Sequence, residues 1–437
     1  MDKYYHAHRV DVEKCRGHMT CMRHCPTQAI RFRGGKVVIS EELCVDCGTC
    51  ISVCPVGAIV PIAGTEGIDC KYKYKVVVPS PVLYSQFAPS IHPYVIHLAL
   101  EKLGYDQVVD IGASSTALSR ALVAYMKTYS GRLPLISSYC PSVVRLIQVK
   151  YPDLVELLVP LDVPREVTAR EIRKSFPDRL GLKSEELGIT YITPCPAKIV
   201  SIRQPAEKPR SWFDEVISIK DVYPILHPHV VAIKEKFDPA QVPEDFSFTV
   251  GWAPLGGFTQ QVKMKNWLAV SGVDHVMRTL DDIENSRLRN IDVVEALACM
   301  LGCLGGPFSV ENPYVARTNS IKQREMYEKR IEVDEQDIEQ KLEQRYYFME
   351  NPILPRPTKF FDTDLETSIK RMKERERVYQ KLRKIDCGCC GAPTCMAFAE
   401  DFVRGEAKLT DCIFLAQAGA IEEELSGPSE SEMEEGE

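Results

Sequence analysis

The sequence predicts an α/β protein with a two-lobed middle domain on parallel sheets, a small α+β domain before it and a small, mostly helical domain after it. Three observations predict this. Short β-branched runs alternate with amphipathic segments through the middle, two cysteine runs of one pattern stand near the start, and a third cysteine group stands near the end. The 437 residues are 45% hydrophobic, enough for two to four domains with real cores.

The first domain is expected over residues 1–66. In "VEKCRGHMTCMRHCP", Cys15, Cys21, Cys25 and Pro26 fit the ferredoxin spacing C-x2-C-x2-C-x3-C-P, with His18 at the second ligand position. In "CVDCGTCISVCP", Cys44, Cys47, Cys50, Cys54 and Pro55 fit it completely. The second run lies 29 residues after the first. Such a repeat builds a two-cluster ferredoxin-like domain in which each run's last cysteine serves the other cluster. Cys54 then joins Cys15, His18 and Cys21, and Cys25 joins Cys44, Cys47 and Cys50. His18 has two readings. As a ligand to a [4Fe–4S] cluster, its neutral imidazole removes one negative charge and raises the potential; as a lost ligand, it leaves a three-iron cluster. The first is favoured, because nothing around it has decayed.

The middle domain is expected over residues 67–325. "KYKVVVPS", "YDQVVDIGAS", "LPLISS" and "GITYITP" read as buried strands, and "PREVTAREIRKSF" and "DVVEALACML" as helices. Two of these strands run into Cys140 and Cys195, and ligand sites in parallel sheets form beyond the carboxyl ends of strands. Cys299 and Cys303, four apart, are expected on one helical face beside Gly305 and Gly306. Together the four suggest one four-cysteine cluster site between two lobes. A polar helical linker follows over 326–385, broken at "NPILPRPTKFFD".

The last folded domain is expected over 386–420, where Cys387, Cys390, Cys395 and Cys412 surround an amphipathic helix. The pattern CGxCGxPxC with a distant cysteine resembles the four-cysteine iron–sulfur domain of electron-transfer complexes and corrinoid proteins; a zinc site is the plainer alternative. Residues 421–437 are expected to be a disordered acidic tail: eight acids and no base follow Ile421, so of the net charge of −7 the rest of the chain carries about +1. No basic stripe with interleaved aromatics suggests nucleic acid, and no long apolar run suggests a membrane span or signal peptide. The expected location is cytoplasmic. Seventeen cysteines in a reducing compartment point to metal ligands rather than disulfides. Cys70 and Cys389 are left over, with no role beyond a structural thiol, although Cys70 invites redox chemistry.

The segments "SSYCP", "TPCPAKI" and "EALACMLGC" resemble, in order and spacing, the three signature loops of [FeFe]-hydrogenases. The resemblance covers about residues 75–320. It implies a four-cysteine [4Fe–4S] cluster bridged to a diiron subcluster bearing CO, cyanide and azadithiolate, the whole forming the H-cluster. It implies Cys140, Cys195 and Cys299 as cluster ligands, Cys303 as the bridging ligand, and Lys198 as a donor to a cyanide. In hydrogen-producing members the residue before the first loop cysteine is a proton-relaying cysteine; here it is Tyr139, a poorer relay near neutral pH. Leu297 and Thr193 stand where methionines are usual, and Glu295 offers a substitute relay. The chain resembles the sensory branch of the family in the form without a PAS domain. The implied function is slow, reversible H2 oxidation and proton reduction, serving as an H2 or redox sensor. The implied partners are H2, protons, and a redox protein such as ferredoxin or a signalling kinase or phosphatase. An ordinary turnover hydrogenase with another relay, or an iron–sulfur assembly or electron-transfer protein, are the alternatives.

Overall fold

The computed structural model describes residues 4–62, 72–262, 264–329, 331–356 and 364–417. Cys70 and the expected acidic tail lie outside the described residues. The chain divides into two compact units, one of Met1–Arg9, Val45–Gly48 and Pro61–Arg356 and the other of Val10–Cys44, Thr49–Val60 and Pro357–Glu437.

The larger unit is built on two parallel sheets. The first has the order Gln107–Val108, Tyr74–Pro79, Leu187–Thr193, Glu215–Ser218, with Tyr74 opposite Leu187 and Thr190 opposite Glu215. Leu187–Thr193 is buried at every position, as a central parallel strand covered by helices should be. The helices Pro164–Leu180, Pro196–Arg203 and Ile219–Lys234 pack against it. The second sheet has the order Trp267–Ser271, Val293–Leu297, Leu135–Ile136, with Trp267 opposite Val293 and Val293 opposite Leu135.

The segment "DVVEALACML" is not the expected helix. Val293–Leu297 is a strand buried at all five positions, and the chain turns immediately after it. The helix-forming residues Glu295, Ala296 and Leu297 are overridden by parallel pairing with Ala269, Val270 and Ser271, in a strand whose first residues, Val293 and Val294, also pair with Leu135 and Ile136. Cys299 and Cys303 therefore share no helical face. Leu301 (φ 61°) and Gly302 (φ 81°) between them both adopt left-handed backbone, which no helix accommodates.

In the smaller unit, Ile30–Arg33 pairs antiparallel with Lys36–Ile39 across Gly34 and Gly35, both at positive φ as a tight two-residue hairpin requires. Short helices Thr20–Arg23 and Thr49–Val53 carry Cys21 and Cys50. Helix Leu365–Lys381 packs on helix Cys395–Val403. The hairpin is tied to this pair: Arg31 Nε and Arg33 Nη2 each donate to Asp401 Oδ2 at 2.6 Å, and Phe32 N donates to Gly391 O at 2.8 Å. Asp401 is buried, so both ion pairs act at reduced dielectric. No helix among the described residues is long and apolar enough to cross a membrane.

Candidate functional site

The larger unit gathers four cysteines at the ends of its strands. Cys140 lies beyond Leu135–Ile136 and caps helix Pro141–Lys150; Cys195 lies beyond Leu187–Thr193 and caps helix Pro196–Arg203. Proline at the first helical position fits both, since its missing N–H is one the helix end leaves unpaired anyway. Each sulfur thus sits at the positive end of a helix, where a thiolate is favoured. Cys299 follows strand Val293–Leu297 and Cys303 opens the short turn Cys303–Gly305. Cys303 N donates to Ala253 O at 2.9 Å, and a Cβ on Gly302 would lie 2.7 Å from that same carbonyl oxygen. Only glycine lets the two strands of backbone approach so closely there.

Burial pushes the Cys140 thiol up to about 12, with the negative charge of Cys195 adding to it. Cys299 is driven well above the usual thiol range by burial and then by Cys195, Cys140 and Cys303, and Cys195 is raised chiefly by burial. Cys140, Cys195 and Cys299 cannot all be thiolates unless positive charge lies among them, which is the condition a metal cluster meets. Cys47, from the second ferredoxin-type run, also acts on Cys299 and belongs to the same unit. Beside it, Gly48 (φ +74°) packs so tightly that an added Cβ would stand 2.5 Å from Pro307 Cγ and 3.0 Å from Pro196 Cγ.

Next to Cys303 lies a mainly apolar cavity of about 60 Å³, bordered by Tyr139, Arg165, Lys198, Glu295 and Leu297. Lys198 Nζ donates to Cys303 Sγ at 3.6 Å. Burial by itself would lower the Lys198 ammonium, but the charges of Cys303, Tyr191 and Cys195 together raise it, so it stays protonated. Tyr139 is wedged between Trp252 and Phe258, with ring centroids 4.8 and 4.6 Å away, and among the described residues its buried hydroxyl has no hydrogen-bond partner. Burial and then the charge of Glu295 push the phenol well above the ordinary tyrosine value. Glu295 projects from the strand, and its carboxylate accepts from Gly256 N and Thr259 N at 3.1 Å and from Thr259 Oγ1 at 2.9 Å. Burial raises its pKa, against which these hydrogen bonds work. The sequence did not single out Arg165. It opens the segment "PREVTAREIRKSF" as the second residue of helix Pro164–Leu180 and is buried there.

A cavity bordered by the Cys303 sulfur, a charged lysine and, among the described residues, an unpartnered hydroxyl and an unpartnered arginine Nε fits an acceptor-bearing anionic group beside a metal cluster.

In the smaller unit, Cys15, His18, Cys21 and Cys54 line one cavity of about 20 Å³. The Cys21 thiol is pushed up to about 11 by burial, with Cys54 and Cys15 adding to it. Ala29 N donates to Cys25 Sγ and Ala58 N to Cys54 Sγ, both at 3.2 Å, as amides solvating sulfur charge would. Cys44 and Cys50 are buried in this unit, while Cys47 lies in the segment that clusters with the larger one. Cys387, Cys390, Cys395 and Cys412 line another cavity of about 20 Å³, with the exposed Cys389 at its edge.

Residues 73–263 match the family described as iron only hydrogenase large subunit, C-terminal domain. Residues 14–58 match the 4Fe-4S dicluster domain and residues 382–414 an Fe-S cluster family. Among curated relatives, the NADP-reducing hydrogenase subunit HndD of Solidesulfovibrio fructosivorans is 23% identical over 341 residues, covering 61% of this chain and 56% of that one. Iron hydrogenase 1 of Clostridium pasteurianum is 26% identical over 202 residues, covering 41% of this chain and 35% of that one. The chain thus spans about half the length, or less, of these relatives. A solved structure of an apo variant of [FeFe]-hydrogenase HydA1 from Chlamydomonas reinhardtii aligns with a TM-score of 0.49 at 15% identity, covering 66% of this chain and 95% of that one. Residues 73–263 are thus similar to the iron only hydrogenase large subunit, C-terminal domain, with a 4Fe-4S dicluster region before them and an Fe-S cluster region after them.

Proposed function

We propose that the chain is a slow, reversible hydrogenase that serves as a hydrogen or redox sensor. Cys140, Cys195, Cys299 and Cys303 hold a [4Fe–4S] cluster, and Cys303 bridges it to a diiron unit in the adjoining cavity. That unit supplies the metal at which H2 is split into two protons and two electrons. Lys198 fixes it through a cyanide. The electrons leave toward the ferredoxin-type clusters, and the nearness of Cys47 to Cys299 supports that exit. Cys25, Cys44, Cys47 and Cys50 hold one of those clusters, Cys15, His18, Cys21 and Cys54 the other, and Cys387, Cys390, Cys395 and Cys412 a fourth, which passes electrons to a redox or signalling partner.

The observation that carries the sensor reading is Tyr139. Its phenol is held protonated and its ring is clamped between Trp252 and Phe258, so it neither accepts a proton near neutral pH nor swings to deliver one. A site that binds hydrogen but moves protons slowly reports occupancy better than it sustains flux. A second reading, ordinary turnover, rests on Glu295 bordering the same cavity as an alternative relay, although both of its oxygens already accept hydrogen bonds. The experiment is hydrogen uptake and evolution by protein loaded with the diiron unit, for the parent and for Glu295→Gln. A slow parent supports sensing. A parent as fast as dedicated hydrogen producers and silenced by Glu295→Gln establishes turnover.

A further inference from the structure

The cavity beside Cys303 carries a second buried cation that the hydrogenase resemblance does not assign. Arg165 is 5% exposed and borders the cavity together with Lys198. It sits in the first turn of helix Pro164–Leu180, so the positive end of that helix adds to its charge.

A buried guanidinium normally spends its donors on carboxylates. Here Nη2 donates to the Ser201 hydroxyl at 2.9 Å, and among the described residues Nε has no hydrogen-bond partner. The carboxylate beside it, Glu166, keeps Oε1 3.9 Å from Nε, beyond hydrogen-bond reach. Glu166 is already committed: Oε1 accepts from Ser211 Oγ at 2.8 Å, Oε2 accepts from Trp212 N at 3.1 Å, and Lys208 Nζ stands 3.5 Å from Oε2. Glu207 feels the charge of Arg165 only at longer range. Lys198 in turn donates to Cys303 Sγ and, among the described residues, to no carboxylate. Two buried cations therefore border one cavity, and neither is hydrogen-bonded to a carboxylate there. Glu295, the one carboxylate on the cavity wall among the described residues, is held by Gly256 and Thr259. Such charge is stable only when an anionic acceptor completes it.

We propose that Arg165 is a second hydrogen-bond donor to the diiron unit, giving its Nε–H to a cyanide nitrogen alongside Lys198. This rests on the hydrogenase reading above. It also accounts for the apolar lining: with the diiron unit gripped by two cations, the rest of the wall need only exclude water. A donor at a cyanide nitrogen draws on a weakly antibonding lone pair and raises the C–N stretching frequency, so its removal lowers that frequency.

The test loads apo-protein, carrying its iron–sulfur clusters, with a synthetic diiron azadithiolate dicyanide complex and records infrared spectra of the parent, Arg165→Met and Arg165→Lys. Iron content and ferredoxin-type EPR signals check that each variant is folded. In Arg165→Met a cyanide band moves to lower wavenumber and the complex is retained about ten- to a hundred-fold less tightly, the worth of a hydrogen bond to a charged group. Arg165→Lys keeps the charge near Glu166 and Glu207 but cannot place a donor at the Nε position, so its cyanide band also moves; it carries the test if Arg165→Met does not fold. Cyanide bands identical to the parent's in a folded variant overturn the role of Arg165 and leave the hydrogenase reading intact. A parent that takes up no diiron unit removes both.

Discussion

Cys140, Cys195, Cys299 and Cys303 come from three segments spread across the larger unit, brought together by the carboxyl ends of strands from two parallel sheets. Cys387, Cys390, Cys395 and Cys412 lie in one short stretch around a single helix, in a small cavity edged by the exposed Cys389. The first set depends on the whole domain for its geometry, the second on local turns and one helix. Cys303 of the first set also borders a cavity with two buried cations, whereas the cavity lined by the second set is smaller and carries no such pair among its described residues. On the function proposed above, the difference separates chemistry from conduction. A site that must hold a small anionic unit and control protons needs depth, a dry wall and fixed donors, while a cluster that only passes electrons needs four sulfurs close to the surface.

The largest effect expected from this contrast is loss of one cluster without the other. Cys195→Ala should remove the strand-end cluster and leave the C-terminal cluster's EPR signal, while Cys395→Ala should do the reverse. Loss of both signals from either change would mean that the two sites are not independent. Next is Tyr139→Cys, which restores a titratable thiol and should raise hydrogen turnover by roughly 10²-fold or more, the usual worth of a positioned proton-transfer group. An unchanged rate in a fully loaded variant would place the limiting step elsewhere.

A smaller effect should come from Asp401→Asn. It weakens the ion pairs with Arg31 and Arg33 and should destabilise the smaller unit by ~2 kcal/mol in chemical denaturation while leaving the larger unit's transition in place. Equal loss in both transitions would show that the two units do not unfold separately. The smallest effect is His18→Cys. If the imidazole is a ligand, the added thiolate charge should lower that cluster's potential with the four-iron count kept; a parent three-iron signal that becomes four-iron only in the variant would mean that His18 binds no iron.

The ease of reading these regions from sequence follows the same contrast. Both ferredoxin runs and the C-terminal group announce themselves by spacing, because their loops are short and each ligand's position is fixed by its neighbours. Cys140 and Cys195 were legible from a second rule, that strands of a parallel sheet end at the site. The stretch around Glu295 was misread because its residues favour a helix in isolation, and only pairing with Trp267–Ser271 and Leu135–Ile136 makes it a strand. Arg165 was hidden for a related reason. In "PREVTAREIRKSF" it looks like part of a solvated charged face, whereas it is buried and the nearby carboxylates Asp162 and Glu166 are engaged by Lys208 from a distant segment. Nothing local in the sequence records that arrangement.

The central claim is that the strand-end cysteines hold a cluster joined through Cys303 to a diiron unit. Infrared spectroscopy of protein loaded with that unit, compared between the parent and Cys303→Ala, tests it most directly. The parent should show CO and cyanide stretching bands, and Cys303→Ala should lose all of them while keeping ferredoxin-type EPR signals. Bands that persist in Cys303→Ala, or a parent without bands despite full iron–sulfur content, would contradict the account.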